Sequence, residues 1–186
     1  GQDKEAAATL QLVEQALMHL RDGKPLRLMG LAEGDGKGMR MLQTLTAKPV
    51  LYVCNVGEDE VANGNSWTKR ISAMANEQGA SSVIISAKIE EEVAQLSDEA
   101  ERAEFLDALN LSETGLAGVV RAGYGLLDLV TFFTSGPKET RAWTVKRSVK
   151  APQAAGAIHT DFERGFIKAE TIDYETFVEL GGEQAA

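Results

Sequence analysis

Apolar side chains recur three or four residues apart near the start of the chain, at Leu10, Val13, Leu17 and Leu20. With polar residues between them, this spacing predicts an amphipathic helix from about Asp3 to Arg21. Gly23 and Pro25 follow and are expected to end that helix. The next stretch, Gly30 to Arg40, is rich in glycine and predicts a flexible connection.

Continuous apolar runs replace this spacing from residue 49 onward. Two such runs each predict a strand buried on both faces: Val50 to Cys54 and Ser82 to Ile85. Cys54 is the last residue of the first predicted strand. A helix from Ser66 to Gln78 is expected between them, capped by Ser66 and followed by Gly79. Further helices are predicted at Ile89 to Leu96, Ser97 to Leu109 and Thr114 to Leu127. Strands alternating with helices predict an α/β fold with a parallel sheet.

The pattern changes again after residue 127. Leu129 to Thr134 and Thr140 to Lys146 predict a hairpin, and a helix of small residues begins near Pro152. A strand from Phe166 to Thr171 and a short helix from Tyr174 to Leu180 are expected next. The order strand, strand, helix, strand is typical of the opening of a ubiquitin-like β-grasp, whose remaining strands would follow Ala186.

Composition narrows the class of protein. The chain has 186 residues, 44% of them hydrophobic and 25% charged, as in globular domains. No apolar run approaches the roughly 20 residues that span a bilayer, and charges at Asp3 to Glu5 argue against a signal peptide. A single cysteine, Cys54, cannot form an internal disulfide and favours a reducing cytosol. Cys54 is expected to be a buried strand residue, and a regulatory thiol beside Asn55 is the alternative. Two histidines and one cysteine make a structural zinc site unexpected.

Charge is unevenly distributed along the chain. The formal net charge of −9 argues against nucleic-acid binding through the overall field, and no specific DNA binding is expected. One segment is basic and contains an aromatic residue, with Lys138, Arg141, Trp143, Lys146, Arg147 and Lys150. Two interpretations stay open: a solvated strand face, or a docking site for RNA or an anionic partner.

Polar residues follow the first buried strand as Asn55-Val56-Gly57-Glu58. Ligands of open α/β sheets bind beyond the carboxyl ends of the strands. An asparagine amide can donate to a purine N7 and tie neighbouring loops together, and an acid three residues later can face the Watson–Crick edge. A carboxylate accepts hydrogen bonds from guanine but repels the adenine N1 acceptor. In guanine-specific proteins this acid is aspartate. Glutamate differs from aspartate in the reach and position of its carboxylate, so the choice between guanine and adenine stays open.

The second buried strand is followed by Ser86-Ala87-Lys88. Small residues let backbone amides approach the edge of a ring, and the aliphatic stem of a lysine can cover its face. Ser86 is also expected to cap the helix that begins near Ile89, and both roles can hold together. The two loops predict one site for a nucleotide base, formed by Asn55, Val56, Glu58, Ser86, Ala87 and Lys88.

His159 and Asp161 suggest catalysis only at first sight. No serine or cysteine nucleophile lies at a meaningful spacing from them, so a capping or hydrogen-bonding role is expected. No catalytic residue is therefore predicted in this chain.

Four stretches carry a family resemblance: TAKPVLYVCNVGED, VIISAKIEEEVAQL, GLAGVVRAGYGLLDLVTFFTSGPKETRAWTV and KAPQAAGAIHTDFERGFIKAE. They resemble the YchF-type, or Obg-like, ATPases of the P-loop GTPase superclass, over nearly the whole chain. The resemblance implies that Asn55 and Glu58 belong to an NxxE motif that replaces NKxD and favours ATP over GTP. It also places Ser86, Ala87 and Lys88 in the motif that follows.

The resemblance implies three segments. Residues 1–48 would be a helical (coiled-coil) arm inserted in the nucleotide domain and its linker. Residues 49–127 would be the C-terminal part of the G domain, and 128–186 a partial TGS domain, a ubiquitin-like module of translation-associated proteins. The P-loop and switch segments would precede Gly1. ATP or GTP with Mg²⁺ is thus expected in the intact protein, with the Mg²⁺ ligands outside this chain and negligible hydrolysis by the chain alone.

Together these features favour a fragment of a cytoplasmic, ribosome-associated P-loop NTPase. The alternative is a non-catalytic module that docks a ribosome or another protein. An unrelated ubiquitin-like protein is a third possibility, which the buried strands around Val53 and Ile84 disfavour. Isolated, the chain is expected to aggregate, self-associate or be partly disordered, because its first strand would expose an apolar edge.

Overall fold

The computed structural model describes residues 2–32 and 34–182 and divides the chain into two compact units, Gly1–Leu127 and Asp128–Ala186. The first unit contains α1 (Gln2–Arg21), α2 (Asp35–Met41), β1 (Leu51–Asn55), α3 (Ser66–Glu77), β2 (Ser81–Ile85), α4 (Ala87–Gln95), α5 (Glu99–Ala108) and α6 (Gly115–Leu126). The second contains β3 (Leu129–Ser135), β4 (Thr140–Lys146), α7 (Ala151–Ile158), α8 (Thr160–Arg164) and α9 (Tyr174–Glu179). None of the helices within the described ranges is long and apolar enough to cross a membrane.

The glycine-rich stretch from Gly30 to Arg40 is not the flexible connection that its composition predicts, because its second half forms α2. Packing explains the difference. Met39 of α2 is buried in one cluster with Leu12 and Ala16 of α1. A Cβ on Gly38 would lie 2.9 Å from Cδ2 of Leu12, so glycine permits this close approach of the two helices. Buried apolar contact therefore stabilises a helix that residue propensity disfavours.

β1 and β2 pair in parallel, with Leu51 opposite Ser81 and Asn55 opposite Ile85. Helices lie on both faces of this pair. A Cβ on Gly118 of α6 would contact Val83 at 3.6 Å, whereas Ile84 points to the other face, towards Gly64 and the start of α3. The strands are nevertheless half-buried: Val53 is 46% exposed and Cys54 is intermediate. The prediction of complete burial is wrong because β1 pairs along one edge only among the described residues.

Asn65, and not Ser66, caps α3. The Asn65 side chain accepts hydrogen bonds from the amides of Trp67 (2.9 Å) and Thr68 (3.0 Å). Thr68 completes a capping box, since its Oγ1 accepts from the Asn65 amide at 2.8 Å. Ser66 is thereby the first helical residue. Gly79 follows the helix with φ +60, the left-handed conformation expected there.

Glu90 of α4 clamps the start of α6. Its Oε1 accepts a hydrogen bond from the Gly115 amide at 2.7 Å, and its Oε2 accepts from the Leu116 amide at 3.1 Å. The carboxylate thus satisfies two free N–H groups and faces the positive end of the helix dipole. The same helix also packs Ile89 and Val93 against α5 in a second buried cluster. α4 therefore joins the end of β2 to the rest of the unit.

The second unit begins with the predicted hairpin, in which β3 and β4 pair antiparallel from Leu129 opposite Lys146 to Ser135 opposite Thr140. The Trp143 indole N–H donates to Thr134 Oγ1 at 2.9 Å across the two strands. α7 packs on β4 and α8. Gly156 permits the second contact, because a Cβ there would lie 3.1 Å from Cβ of Glu163.

The strand predicted from Phe166 to Thr171 is absent, and that stretch has no regular secondary structure. Among residues 128–182, β3 and β4 pair only with each other, and the stretch pairs with neither strand. Ile167 is accordingly 92% exposed. Alternating apolar residues favour a strand only where a neighbour supplies hydrogen bonds and a packing face.

Replacing Gly115 by alanine is expected to destabilise the first unit by about 1–3 kcal/mol, as overpacking does. The added Cβ would lie 2.9 Å from Cγ2 and 3.1 Å from Cβ of Ile85, which cannot move without shifting β2. Urea denaturation followed by circular dichroism measures the change.

Gly123→Ala is the matched control, since it lies in the same helix with no atom within 4 Å of the added Cβ. It should leave the free energy of unfolding unchanged or raise it by up to roughly 1 kcal/mol, through helix propensity. Equal stability of the two variants would contradict the close packing of α6 on β2.

Candidate functional site

The ends of the two parallel strands lie side by side. Asn55 and Ile85 are the last residues paired, and the Val56 amide continues the ladder by donating to the Ile85 carbonyl at 2.9 Å. The loops that begin at Val56 and Ser86 therefore leave the sheet at the same level. This carboxyl edge is where ligands bind in open α/β sheets.

Asn55 ties these two loops together. Its Oδ1 accepts a hydrogen bond of 2.9 Å from the amide of Ala87, 32 residues further along the chain. The bond fixes the orientation of the side-chain amide, so its nitrogen points away from the shared contact. That nitrogen has no partner among the described residues, and Asn55 is exposed. Two N–H donors are thus available to a ligand acceptor such as a purine N7.

Glu58 and Lys88 form an ion pair between the same two loops, joining Oε1 to Nζ. The hydrogen bond to Glu58 and the charge of that carboxylate raise the pKa of Lys88, and the charges of Glu92 and Glu91 act in the same direction. Lys88 therefore stays an ammonium throughout the neutral range. Both side chains remain open to solvent, with 66% of Lys88 and 41% of Glu58 exposed.

Ser86 occupies the N-cap position of α4 but does not cap it, since its side chain accepts no hydrogen bond from the helix. The helix begins at Ala87, two residues earlier than predicted. Ser86 is only 1% exposed, and its Oγ has no hydrogen-bond partner among the described residues. A buried hydroxyl without a partner is costly, and this one lies at the start of the second loop.

A groove of about 370 Å³ runs along β1 and reaches the carboxyl edge. Its wall includes Asn55 and Val56 as well as Asn65 and Trp67 from the start of α3. A second cavity of about 320 Å³ lies near the amino ends of the strands, beside Pro49 and Ala80. The first groove is the relevant one, because it alone of these two is lined by residues predicted to read a base.

The described residues offer no group of three or more His, Cys, Asp or Glu side chains arranged to hold a metal ion. The nearest carboxylate of the site, Glu58, is already paired with Lys88. The arrangement of these described residues does not fit Mg²⁺, and no step through the metal can be assigned to them.

The basic segment of the hairpin is not one continuous face. Arg141 and Trp143 share a face of β4, with the guanidinium carbon 4.3 Å from the ring centroid. Lys146 lies on the opposite face by strand alternation. Arg147 is paired with Asp128, whose Oδ1 is 3.6 Å from its Nε. Lys138 lies in the turn before β4. The basic segment therefore consists of the stacked Arg141–Trp143 pair and of cations that lie apart from it.

His159 has the structural role that the sequence predicts. Its Nδ1 accepts a hydrogen bond of 3.2 Å from the Asp161 amide and caps α8. The same nitrogen is 3.6 Å from Oδ2 of Asp161. The two contacts are exclusive, because Nδ1 must be unprotonated to accept from an amide and protonated to pair with a carboxylate. In the cap of α8, Nδ1 of His159 is the acceptor.

Two further contacts in the first unit were not predicted. One is the Glu90 clamp on α6, whose partners are 25 residues apart. The other links residues before and after β1: the Arg27 guanidinium donates to Gln78 Oε1 at 2.5 Å, and the Tyr52 hydroxyl donates to the same oxygen at 3.0 Å. Neither has a local sequence signal, since each depends on how separate helices pack.

The family model YchF-GTPase_C, described as a protein of unknown function (DUF933), matches residues 129–186. The Ribosome-binding ATPase YchF of Escherichia coli O157:H7 is 46% identical over 186 residues, which are 100% of this chain and 51% of that protein. The protein of the same name from Bacillus subtilis (strain 168) is 43% identical over 182 residues, 97% of this chain and 50% of the relative.

Obg-like ATPase 1 of Oryza sativa subsp. japonica is 37% identical over 185 residues, 98% of this chain and 46% of that protein. Among solved structures, the Schizosaccharomyces pombe YchF GTPase is similar with a TM-score of 0.79 and 32% identity. That likeness covers 98% of this chain and 48% of the solved one. The chain spans about half the length of the curated relatives it matches.

These matches and the fold together define the class of protein. The chain has an α/β fold that corresponds to the C-terminal portion of a solved GTPase structure. More particularly, the chain is similar over nearly its whole length to the C-terminal portion of YchF-type, or Obg-like, proteins.

Proposed function

We propose that this chain supplies the base-recognition loops of a P-loop NTPase that binds and hydrolyses ATP, in preference to GTP, in the complete protein. The observation that carries the proposal is the Asn55–Ala87 hydrogen bond, which joins the loops at the ends of two adjacent parallel strands. The names of the relatives, ribosome-binding ATPase and Obg-like ATPase, support a nucleotide as ligand.

Each side chain has a defined part in this proposal. The free amide nitrogen of Asn55 donates to the purine N7, while its oxygen keeps the two loops in register. Val56 and Ala87 flank the ring edge, and the aliphatic stem of Lys88 covers the ring face. Binding energy from the base orients the nucleotide, and positioning of this kind supplies much of phosphoryl-transfer catalysis.

The complete protein would provide what these residues do not. A phosphate-binding loop and the ligands of Mg²⁺ belong outside this chain, and the metal would neutralise phosphate charge there. We assign residues 1–48 to a helical arm and linker, 49–127 to the nucleotide domain and 128–186 to a TGS-type segment. The protein would act in the cytoplasm, where ribosomes translate.

A second candidate function is docking to the ribosome, through its RNA or a protein. Its supporting observation is the exposed Arg141 stacked on Trp143, since a guanidinium on an aromatic ring offers both a charge and a flat apolar face. The two functions are compatible, because a nucleotide-controlled protein requires both a nucleotide site and a surface for its partner.

Asn55→Ala should weaken ATP binding by the complete protein about tenfold or more, since it removes a base contact and the tie between the loops. Titration with an ATP analogue labelled on the ribose measures the dissociation constant. Asn76→Ala is the matched control, because Asn76 is exposed on α3 and lines neither the groove nor the loops. Equal affinity of both variants, with unchanged thermal melting, would contradict base recognition at this edge.

Arg141→Glu should reduce co-sedimentation of the complete protein with ribosomes severalfold, because it reverses the charge beside Trp143. Lys146→Glu makes the same charge change on the opposite face of β4 and should have a smaller effect. The loss should diminish as salt is raised. Unchanged co-sedimentation after reversal of Arg141, Lys146 and Arg147 together would exclude this segment as the docking site.

A further inference from the structure

The ion pair between Glu58 and Lys88 has no evident structural purpose. Both side chains are largely exposed, and surface ion pairs contribute little to stability. The pair instead connects the two loops that Asn55 also ties, at the edge of the sheet where a base is proposed to bind. Its contribution is therefore best sought in what these two side chains present to a ligand.

A free carboxylate at this position would select guanine. Its two oxygens accept hydrogen bonds only, and guanine offers two adjacent donors, N1–H and the N2 amino group. Adenine offers N1, an acceptor, which a carboxylate repels. An unpaired Glu58 that reaches this edge of the base should thus favour guanine.

Lys88 changes that arrangement. Its ammonium takes one lone-pair site of Glu58 Oε1, so it competes with the two guanine donors for the carboxylate. The ammonium also adds N–H donors beside the remaining carboxylate oxygen. A donor next to an acceptor matches the N1 and N6 positions of adenine, and the charge of Glu58 no longer repels N1.

We infer that Lys88 is a specificity-determining residue, whose ion pair with Glu58 removes the advantage of guanine and lets the site accept adenine. The inference rests on the proposed function, because it assumes that a base binds between these loops. The raised pKa of Lys88 is consistent with it, since the ammonium persists at neutral pH. It assigns Lys88 a role beyond covering the ring face.

The test compares the affinities of the complete protein for ATP and GTP, both labelled on the ribose so that the bases are unmodified. Lys88→Met keeps the aliphatic stem but frees Glu58, and should shift the ATP-to-GTP affinity ratio roughly tenfold or more towards GTP. Lys88→Arg keeps the cation and should retain the ratio of the unsubstituted protein. Lys48→Met is the matched control, since it removes an exposed lysine before the opposite end of β1.

In a Glu58→Gln background, Lys88→Met should cause no further shift, because the carboxylate that Lys88 neutralises is gone. An unchanged ratio in Lys88→Met with binding retained would overturn the inference and leave the proposed function intact. Loss of both nucleotides in Lys88→Met, with normal binding in Lys88→Arg, would also overturn it, since the cation would then serve binding as a whole. Failure of the unsubstituted protein to bind either nucleotide would instead refute the proposed function.

Discussion

The in-register parallel pairing of β1 with β2 is the constraint on which the candidate site depends. Parallel strands point their carboxyl ends to the same edge, so two loops 30 residues apart in sequence begin side by side. The Asn55–Ala87 and Glu58–Lys88 contacts are consequences of that register. A slip of one residue would turn the side chains of the shifted strand to the other face and separate both pairs.

Helix packing maintains this register from outside the sheet. α6 lies close to Ile85 because Gly115 has no side chain, and the Glu90 carboxylate holds the start of α6 against α4. The residue that follows Ile85 is Ser86, so a contact made for packing also sets where the second loop begins. Gly115 and Glu90 therefore affect the candidate site indirectly, because they hold α6 against β2 and α4, whose ends form the site.

Sequence patterns predict the elements that depend on local residue spacing, and they fail for elements whose stability depends on packing against distant segments. The strands at β1 and β2, the hairpin and most helices follow from periodicity, and Asn55 is placed correctly because it directly follows an apolar run. The helix α2 was missed because its stability comes from Met39 packing on α1, against glycine propensity. The strand expected at Phe166 to Thr171 fails for the converse reason, since this stretch pairs with no strand among residues 128–182.

The same distinction separates what could be known of the site from what could not. Residue type and spacing indicate which groups can reach a base, and the strand ends indicate where. They do not show that Lys88 pairs with Glu58, because side chains in two loops meet only after the sheet has formed. Yet that meeting decides the chemistry: Glu58 alone is an acceptor, whereas Glu58 with Lys88 presents an acceptor and a donor together. Under the proposal, base preference depends on a contact between two loops, and a motif considered one residue at a time cannot express it.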